Sequence, residues 1–278
     1  MNFFSSHKPL SEQEQKTALA ELRSAIEAST SGSGPSVYEQ LRQGGEPGLY
    51  EEGRIDDLTY GRWLRAENYN VKKAATRLRE HAAWRVKYVP HGSIPEADVQ
   101  RELDTGKAYV QGFDKHGRPL TICTGRLHSK AVRDLDETKR FICYTLDAAL
   151  RSNDIKRNPE GKICSIFDLR GMSMDSIDAA VLRAVFDLLA NHYPERLGKL
   201  WMLDAPGIFY ALWKVVSPFV DSVTKAKIEF VDGKKAMDEF RVTIGMETLP
   251  KALGGDAELV PVKKVAEQNA PHEASAAH

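Results

Sequence analysis

Apolar positions recur along this chain first at helical spacing and then, from about Gly106, at alternating strand and helix spacings. Ser11 followed by Glu14 forms a capping box and predicts a first helix over 11–28. The STSGSGP stretch at 29–35 breaks that helix, and a second polar, Gly-rich stretch at 43–53 delays the next one. Helices follow over 56–66 and 71–87. The second places Ala74, Ala75, Leu78 and Ala82 near one face, with Trp84 to its side. Short helices with such faces are stable only when docked. Residues 108–111 and 119–123 read as strands joined by Asp114-Lys115-His116-Gly117, a hairpin-type turn. A helix over 136–151 leads to a near-continuous apolar strand over 162–168. The next helix, 175–191, turns Ile177, Val181, Leu182, Val185, Phe186 and Leu189 to its buried side. A strand at 199–203, a Pro-initiated helix at 206–217 and a strand at 227–231 complete the series. Strand–helix–strand units in series imply an α/β fold with a mostly parallel sheet. Beyond Val260 the polar, Ala-rich tail is expected to be disordered.

The helix at 206–217 departs from the usual surface pattern. Ile208, Phe209, Leu212, Trp213, Val215 and Val216, with Phe219 and Val220 just past it, cover more than one face, and Lys214 is its only charge. A surface helix normally carries one apolar stripe. The surplus fits a helix packed on the sheet by one side and facing an apolar ligand or a membrane with the other. A crossover helix buried in the α/β core fits the same pattern.

Composition narrows the classes. Of 278 residues, 42% are hydrophobic and 28% charged, enough for a sizeable core under a soluble surface. Lys+Arg and Asp+Glu stand at 39 each, a balance that argues against a nucleic-acid binder and against tight adhesion to anionic membranes. No apolar run approaches a membrane span, and the N-terminus lacks a signal-peptide core. Cys123, Cys143 and Cys164 are odd in number and widely spaced, which fits reduced thiols in a cytoplasmic protein.

Much chemistry is absent: there is no GxGxxG after a strand, no GxxxxGK[ST], HExxH, GxSxG or CxxC. Neither cofactor nor metal is expected. Asp168 and Asp204 end strands where α/β enzymes place their sites, but Asp is common in turns and before helices, and that is the stronger reading. The loop TGRLHSK at 124–130 has residues that could hold a phosphate but no P-loop spacing, so it reads as a solvated turn.

Several segments in order resemble one family. Trp63-Leu64-Arg65-Ala66, then Tyr69 to Ala74 and Trp84-Arg85, is similar to the small N-terminal helical region of CRAL-TRIO proteins. Asp114 to Pro119 resembles the family's D-x-x-G-R-P turn, and Asp168-Leu169-Arg170-Gly171 its D-x-x-G segment. Tyr193 to Lys199, Ala205-Pro206, Val216 to Phe219, Thr224 to Ile228 and Leu249 to Gly255 continue the likeness over roughly 56–256. The resemblance implies a lipid-binding fold with a sheet floor, flanking helices and a mobile gate helix over an apolar cavity. It divides the chain into an extension (1–54), the helical region (55–92), the lipid-binding domain (95–258) and a tail (259–278). The helix at 206–217 would be the gate, with Trp213 and Val216 where the fungal phosphatidylinositol transfer protein has bulky gate residues.

The resemblance implies a carrier and not an enzyme. Carrying two acyl chains of roughly 30 methylenes through water would cost on the order of 20 kcal/mol without an apolar pocket. In phosphatidylinositol-binding relatives the positions of Glu195, Thr224 and Lys227 contact the inositol phosphate region. Tyr193 and Ser173 of the matching segments, with Phe186, Phe209, Trp213 and Val216, complete the expected ligand-binding set. One departure weakens attraction for an anionic head: relatives carry R-A-R-K where this chain has Arg65-Ala66-Glu67-Asn68. Nor does the strand after Gly117-Arg118-Pro119 carry the tyrosine of phosphatidylcholine-type relatives; Thr121 and Ile122 stand there. A tocopherol, retinoid, sterol or haem ligand stays open, as does a lipid-regulated sensor or interaction protein. The expected partners are a phospholipid or other hydrophobic ligand and, transiently, a membrane surface, with the protein cytoplasmic and monomeric.

Overall fold

The computed structural model describes residues 10–28, 34–49 and 51–268. Helices α1 (Glu12–Glu27), α2 (Val37–Gln43), α3 (Asp57–Ala66) and α4 (Val71–Tyr88) come first. After a short α5 (Gln100–Asp104), strands β1 (Ala108–Phe113) and β2 (Pro119–Thr124) lead to α6 (Leu135–Arg151), β3 (Ile163–Asp168), α7 (Ala179–His192) and β4 (Leu197–Leu203). Then come α8 (Gly207–Val216), α9 (Ser222–Ala226), β5 (Ile228–Val231), α10 (Gly233–Thr243) and α11 (Val262–Gln268). The sheet runs in the order β1-β2-β3-β4-β5, with β1 antiparallel and the rest parallel, as the serial strand–helix units imply.

Strand alternation divides the core into two layers. Ile163 and Phe167 of β3 and Leu200 and Met202 of β4 face α6, α7 and α8. Cys164, Ile166, Trp201 and Leu203 point the other way, onto Ala236 and Phe240 of α10. Trp201 meets Phe240 edge-on at 5.4 Å and donates its indole N–H to Glu239 at 2.6 Å. Helices α1 to α4 bury a separate cluster that includes Leu22, Leu41, Trp63 and Leu78.

A buried polar network joins that cluster to the sheet domain. Arg85 of α4 reaches Asp147 of α6 at 2.9 Å and the Gly44 carbonyl at 2.7 Å. The Tyr193 hydroxyl donates to Asp147 at 2.8 Å. Gly45 sits at φ +58°, and a Cβ there would lie 1.9 Å from the Gly92 carbonyl oxygen, so close backbone approach as well as the left-handed φ demands glycine. The Glu46 carboxyl, facing His81, Arg85 and Arg62, is held well below its ordinary range despite complete burial.

Element boundaries differ from the sequence pattern where side chains cap. The α7 helix begins at Ala179 and not at 175, because the Asp178 side chain accepts the N–H groups of Ala180 and Val181. Helices α2, α9 and α10 add to those the apolar spacing indicated; α2 is opened by a Ser36–Glu39 capping box. The expectation of a disordered tail is corrected over its first part. Val262 and Val265 of α11 are buried against α6 and β1, and Pro261 bridges to Tyr109. Two apolar residues three apart give a short helix enough of a face to dock, a signal the average composition of the tail conceals. Residues 29–33 of the expected break and 269–278 of the tail lie outside the described residues.

Candidate ligand cavity

The layer between the sheet and α6, α7 and α8 is not fully packed. It encloses a cavity of about 170 Å³, floored by Ile163, Phe167 and Leu200 and walled by Leu146, Leu182 and Phe209 among others. That volume holds roughly six methylene-sized groups, taking each at about the 30 Å³ of a water molecule in the liquid. Its lining is overwhelmingly apolar.

Polar groups gather at opposite edges of the sheet. At the edge where the parallel strands begin, Glu195 precedes β4 and Lys227 precedes β5. The Lys227 ammonium is 3.5 Å from the Glu195 carboxylate, both partly buried, and Glu195 adopts φ +57°. Thr224, in α9, accepts the Lys227 N–H on its backbone carbonyl at 3.0 Å. Glu160 close by has its carboxyl lowered, chiefly by a hydrogen bond to Lys162, with further pull from Arg65 and Lys227. The three cations therefore act on one carboxylate from three segments. The departure at Glu67 is neutralised locally, because Glu67 pairs with Arg77.

Of the nine ligand-binding residues expected from sequence, Phe209 lines the cavity directly. Phe186 and Trp213 pack ring to ring at 5.7 Å, and Trp213 meets Phe230 at 5.8 Å, so both belong to the seam that seats α8. Val216 is buried in the same layer. Tyr193 has its hydroxyl spent on Asp147, away from the cavity, and burial pushes that hydroxyl well above its ordinary pKa. Ser173 is exposed, its hydroxyl 3.4 Å from that of Ser176. Asp168 and Asp204 serve the backbone as turn chemistry predicts. Asp168 binds the Arg170 N–H and guanidinium, and Asp204 accepts the Gly233 N–H at 2.8 Å.

Two cavity residues stand out only in three dimensions. Lys107 and His128 come from either side of β1 and β2 to the edge where the parallel strands end, and both line the cavity. The Lys107 ammonium lies 3.2 Å from His128 Nδ1 and pairs with Glu102, while His128 Nε2 faces Asp178 at 3.3 Å. A histidine in a polar loop and a lysine before a strand carry no periodicity that would have joined them. Among the described residues no cluster is arranged to hold a metal ion and no helix is long and apolar enough to cross a membrane.

Residues 103–255, more than half of the 278-residue chain, match the CRAL/TRIO domain. The chain belongs to the CRAL/TRIO family. This CRAL/TRIO chain is 31% identical over 208 residues to the phosphatidylinositol transfer protein CSR1 of Eremothecium gossypii, covering 71% of this chain and 46% of that protein. It thus spans less than half the length of that relative. It is 30% identical over 230 residues to the CRAL-TRIO domain-containing protein YKL091C of Saccharomyces cerevisiae, covering 76% of this chain and 74% of that one. It is also 30% identical over 224 residues to the SEC14 cytosolic factor of Eremothecium gossypii, covering 74% and 71%. The crystal structure of Sfh5 superposes with a TM-score of 0.68 at 13% identity, over 94% of this chain and 98% of that one, which shows a common fold. Fold and family therefore agree with the resemblance carried by the sequence segments.

Proposed function

We propose that this CRAL/TRIO protein carries a phospholipid, phosphatidylinositol foremost, in the cavity beneath α8 and transfers or presents it at membranes. The apolar cavity between the sheet and α7 and α8 carries this reading. A diacyl lipid of roughly 30 methylenes exceeds a space for about six. Loading therefore requires α8 to move outward, as a gate does. The helix is suited to that: Phe209, Leu212 and Val216 face inward, while Val215 and, just past its end, Phe219 face solvent at 63% and 59% exposure. At a membrane those outward groups exchange water for lipid.

Lys227, Glu195 and Thr224 form the head-group end in this reading. Lysine supplies a point charge for a phosphodiester, and the glutamate and threonine bond hydroxyl groups. The transfer activity named for CSR1 favours the same choice. With Asp168 and Asp204 engaged in turns, the arrangement supports a carrier working from the cytoplasm more than an enzyme.

The test is lipid uptake from mixed vesicles read by native mass spectrometry, with Lys227→Ala beside the wild type. Stoichiometric phosphatidylinositol on the wild type and roughly tenfold less on the variant is expected. Equal uptake by both removes the head-group assignment; no uptake of any lipid by the wild type removes the carrier.

A further inference from the structure

Lys107, Glu102, His128, Asp178 and Arg133 form a cluster at the sheet edge opposite Lys227, and Lys107, His128 and Asp178 line the cavity. The backbone explains its position. The Lys107 carbonyl accepts the Thr124 N–H at 2.8 Å, which sets Lys107 beside the last residue of β2. Asp178 caps α7 just beyond the end of β3. The six-residue β3 separates this edge from the Glu195–Lys227 edge by about 17 Å at the usual strand rise. One glycerol head group does not reach both.

The centre of the cluster is buried, with Lys107 5%, Glu102 4% and Asp178 5% exposed, and His128 and Arg133 are partly buried beside it. Its hydrogen bonds can be followed atom by atom. Asp178 Oδ1 accepts two backbone N–H groups, and Oδ2 accepts Arg133 Nε at 2.6 Å and His128 Nε2 at 3.3 Å. His128 therefore carries its proton on Nε2 and offers Nδ1 to the Lys107 ammonium. Burial and the neighbouring Lys107 lower the His128 pKa, which favours this neutral form. Lys107 has three N–H groups. His128 Nδ1 engages one, Glu102 pairs with the ammonium by charge, and the Phe141 ring lies 5.8 Å away.

The charges also close. Lys107 balances Glu102, Arg133 balances Asp178, and His128 is neutral. An anion entering here would be a buried charge without compensation, and a cation would face Lys107 directly. A donor in a charge-balanced, apolar-walled site takes a neutral oxygen.

We propose that Lys107 is the anchor of a second polar subsite, which binds the uncharged oxygen of a neutral lipid, a hydroxyl or an ester carbonyl, with the hydrocarbon lying in the cavity. This rests on the cavity being a lipid site and adds a ligand class that Glu195 and Lys227 do not select. Cargo with a charged head belongs at the Lys227 edge; cargo whose polar group is a single neutral oxygen belongs at Lys107.

Four C12 compounds, alike in chain and different in polar end, test it: 1-dodecanol, dodecanoate, dodecylamine and dodecane. Each competes with the neutral apolar dye N-phenyl-1-naphthylamine on the full chain. Wild-type protein is expected to bind dodecanol about tenfold tighter than the other three. Lys107→Met should reduce dodecanol to the level of dodecane, each affinity taken relative to that of the dye on the same variant. The double variant E102Q/K107M removes both members of the buried pair, and with an unchanged melting temperature it should give the same loss. Dodecanoate or dodecylamine binding as tightly as dodecanol overturns the charge argument. Dodecanol affinity unaltered in a folded variant overturns the anchor. If dye and phosphatidylinositol both bind but no head group is distinguished, this inference alone fails. If neither binds, the cavity reading fails and takes this one with it.

Discussion

Four of the ten exposed large apolar side chains among the described residues fall between Tyr210 and Val223, at and just past α8. If this is the face that meets the bilayer, V215S/F219S/V223S should separate membrane contact from folding. The three residues are 63%, 59% and 54% exposed. Fully burying a side chain of this kind contributes about 1.5–3 kcal/mol, so the exposed portions offer about 4 kcal/mol together. That is near a thousandfold in partitioning. The folded protein loses little, since substitutions at exposed positions usually stay within about 0.5 kcal/mol. The cation–π contact of Arg183, 4.3 Å from the Phe219 ring centroid, goes as well and is worth about 0.5–1 kcal/mol at an exposed site. Serine introduces no charge, so vesicle electrostatics do not confuse the result. The measurements are flotation with neutral vesicles, transfer of fluorescent phosphatidylinositol between vesicles, and thermal melting. Partitioning and transfer should fall together while the melting temperature moves by no more than a few degrees. A fall of less than tenfold with the fold intact would refute the membrane-facing role of this surface.

Two further predictions concern the joint between the helical region and the sheet domain. Asp147→Leu leaves buried Arg85 with only the more distant Glu46 carboxylate at 3.6 Å and the Tyr193 hydroxyl without its acceptor, which should cost about 3–5 kcal/mol and lower Tm by roughly 10 °C, whereas R85M/D147L recovers part of the loss. Calorimetry showing Asp147→Leu within about 1 kcal/mol of wild type would count against the network as the clasp. His192 stacks on Trp84 at 3.6 Å, and burial first, then His81, pushes its pKa down to about 3. The unfolded chain takes up that proton near pH 6.5, before the native protein does. The stability contribution is therefore complete above about pH 6.5 and is lost as pH falls toward 3. His192→Phe keeps the stack and should flatten the dependence of unfolding free energy on pH between about 6.5 and 4.5; an unchanged slope in denaturant titrations disproves the assignment.

Local signals made much of the fold legible. The capping box at Ser11, the turn at Asp114 to Gly117 and the apolar runs of β3 and α7 each depend on neighbours within a few residues. The surplus of apolar positions in α8 was equally plain, because a helix of ten residues with one lysine cannot hide every face in one contact. The helix divides between core and solvent: Phe209 and Leu212 are core, while Val215 is exposed. The apolar period alone sets the start of α7 too early, because it continues past the Asp178 cap that opens the helix.

The sequence by itself determined the fold class, the family segments and the identity of the apolar helix, since periodicity, capping and turn chemistry act over short separations. Tertiary structure decided which side chains meet. It turned Tyr193 inward to Asp147, placed Phe186 and Trp213 in a seam and brought Lys107 to His128 from 21 residues away. Such pairings depend on strand register and on where burial leaves a polar atom without water, and neither is set until distant segments have packed.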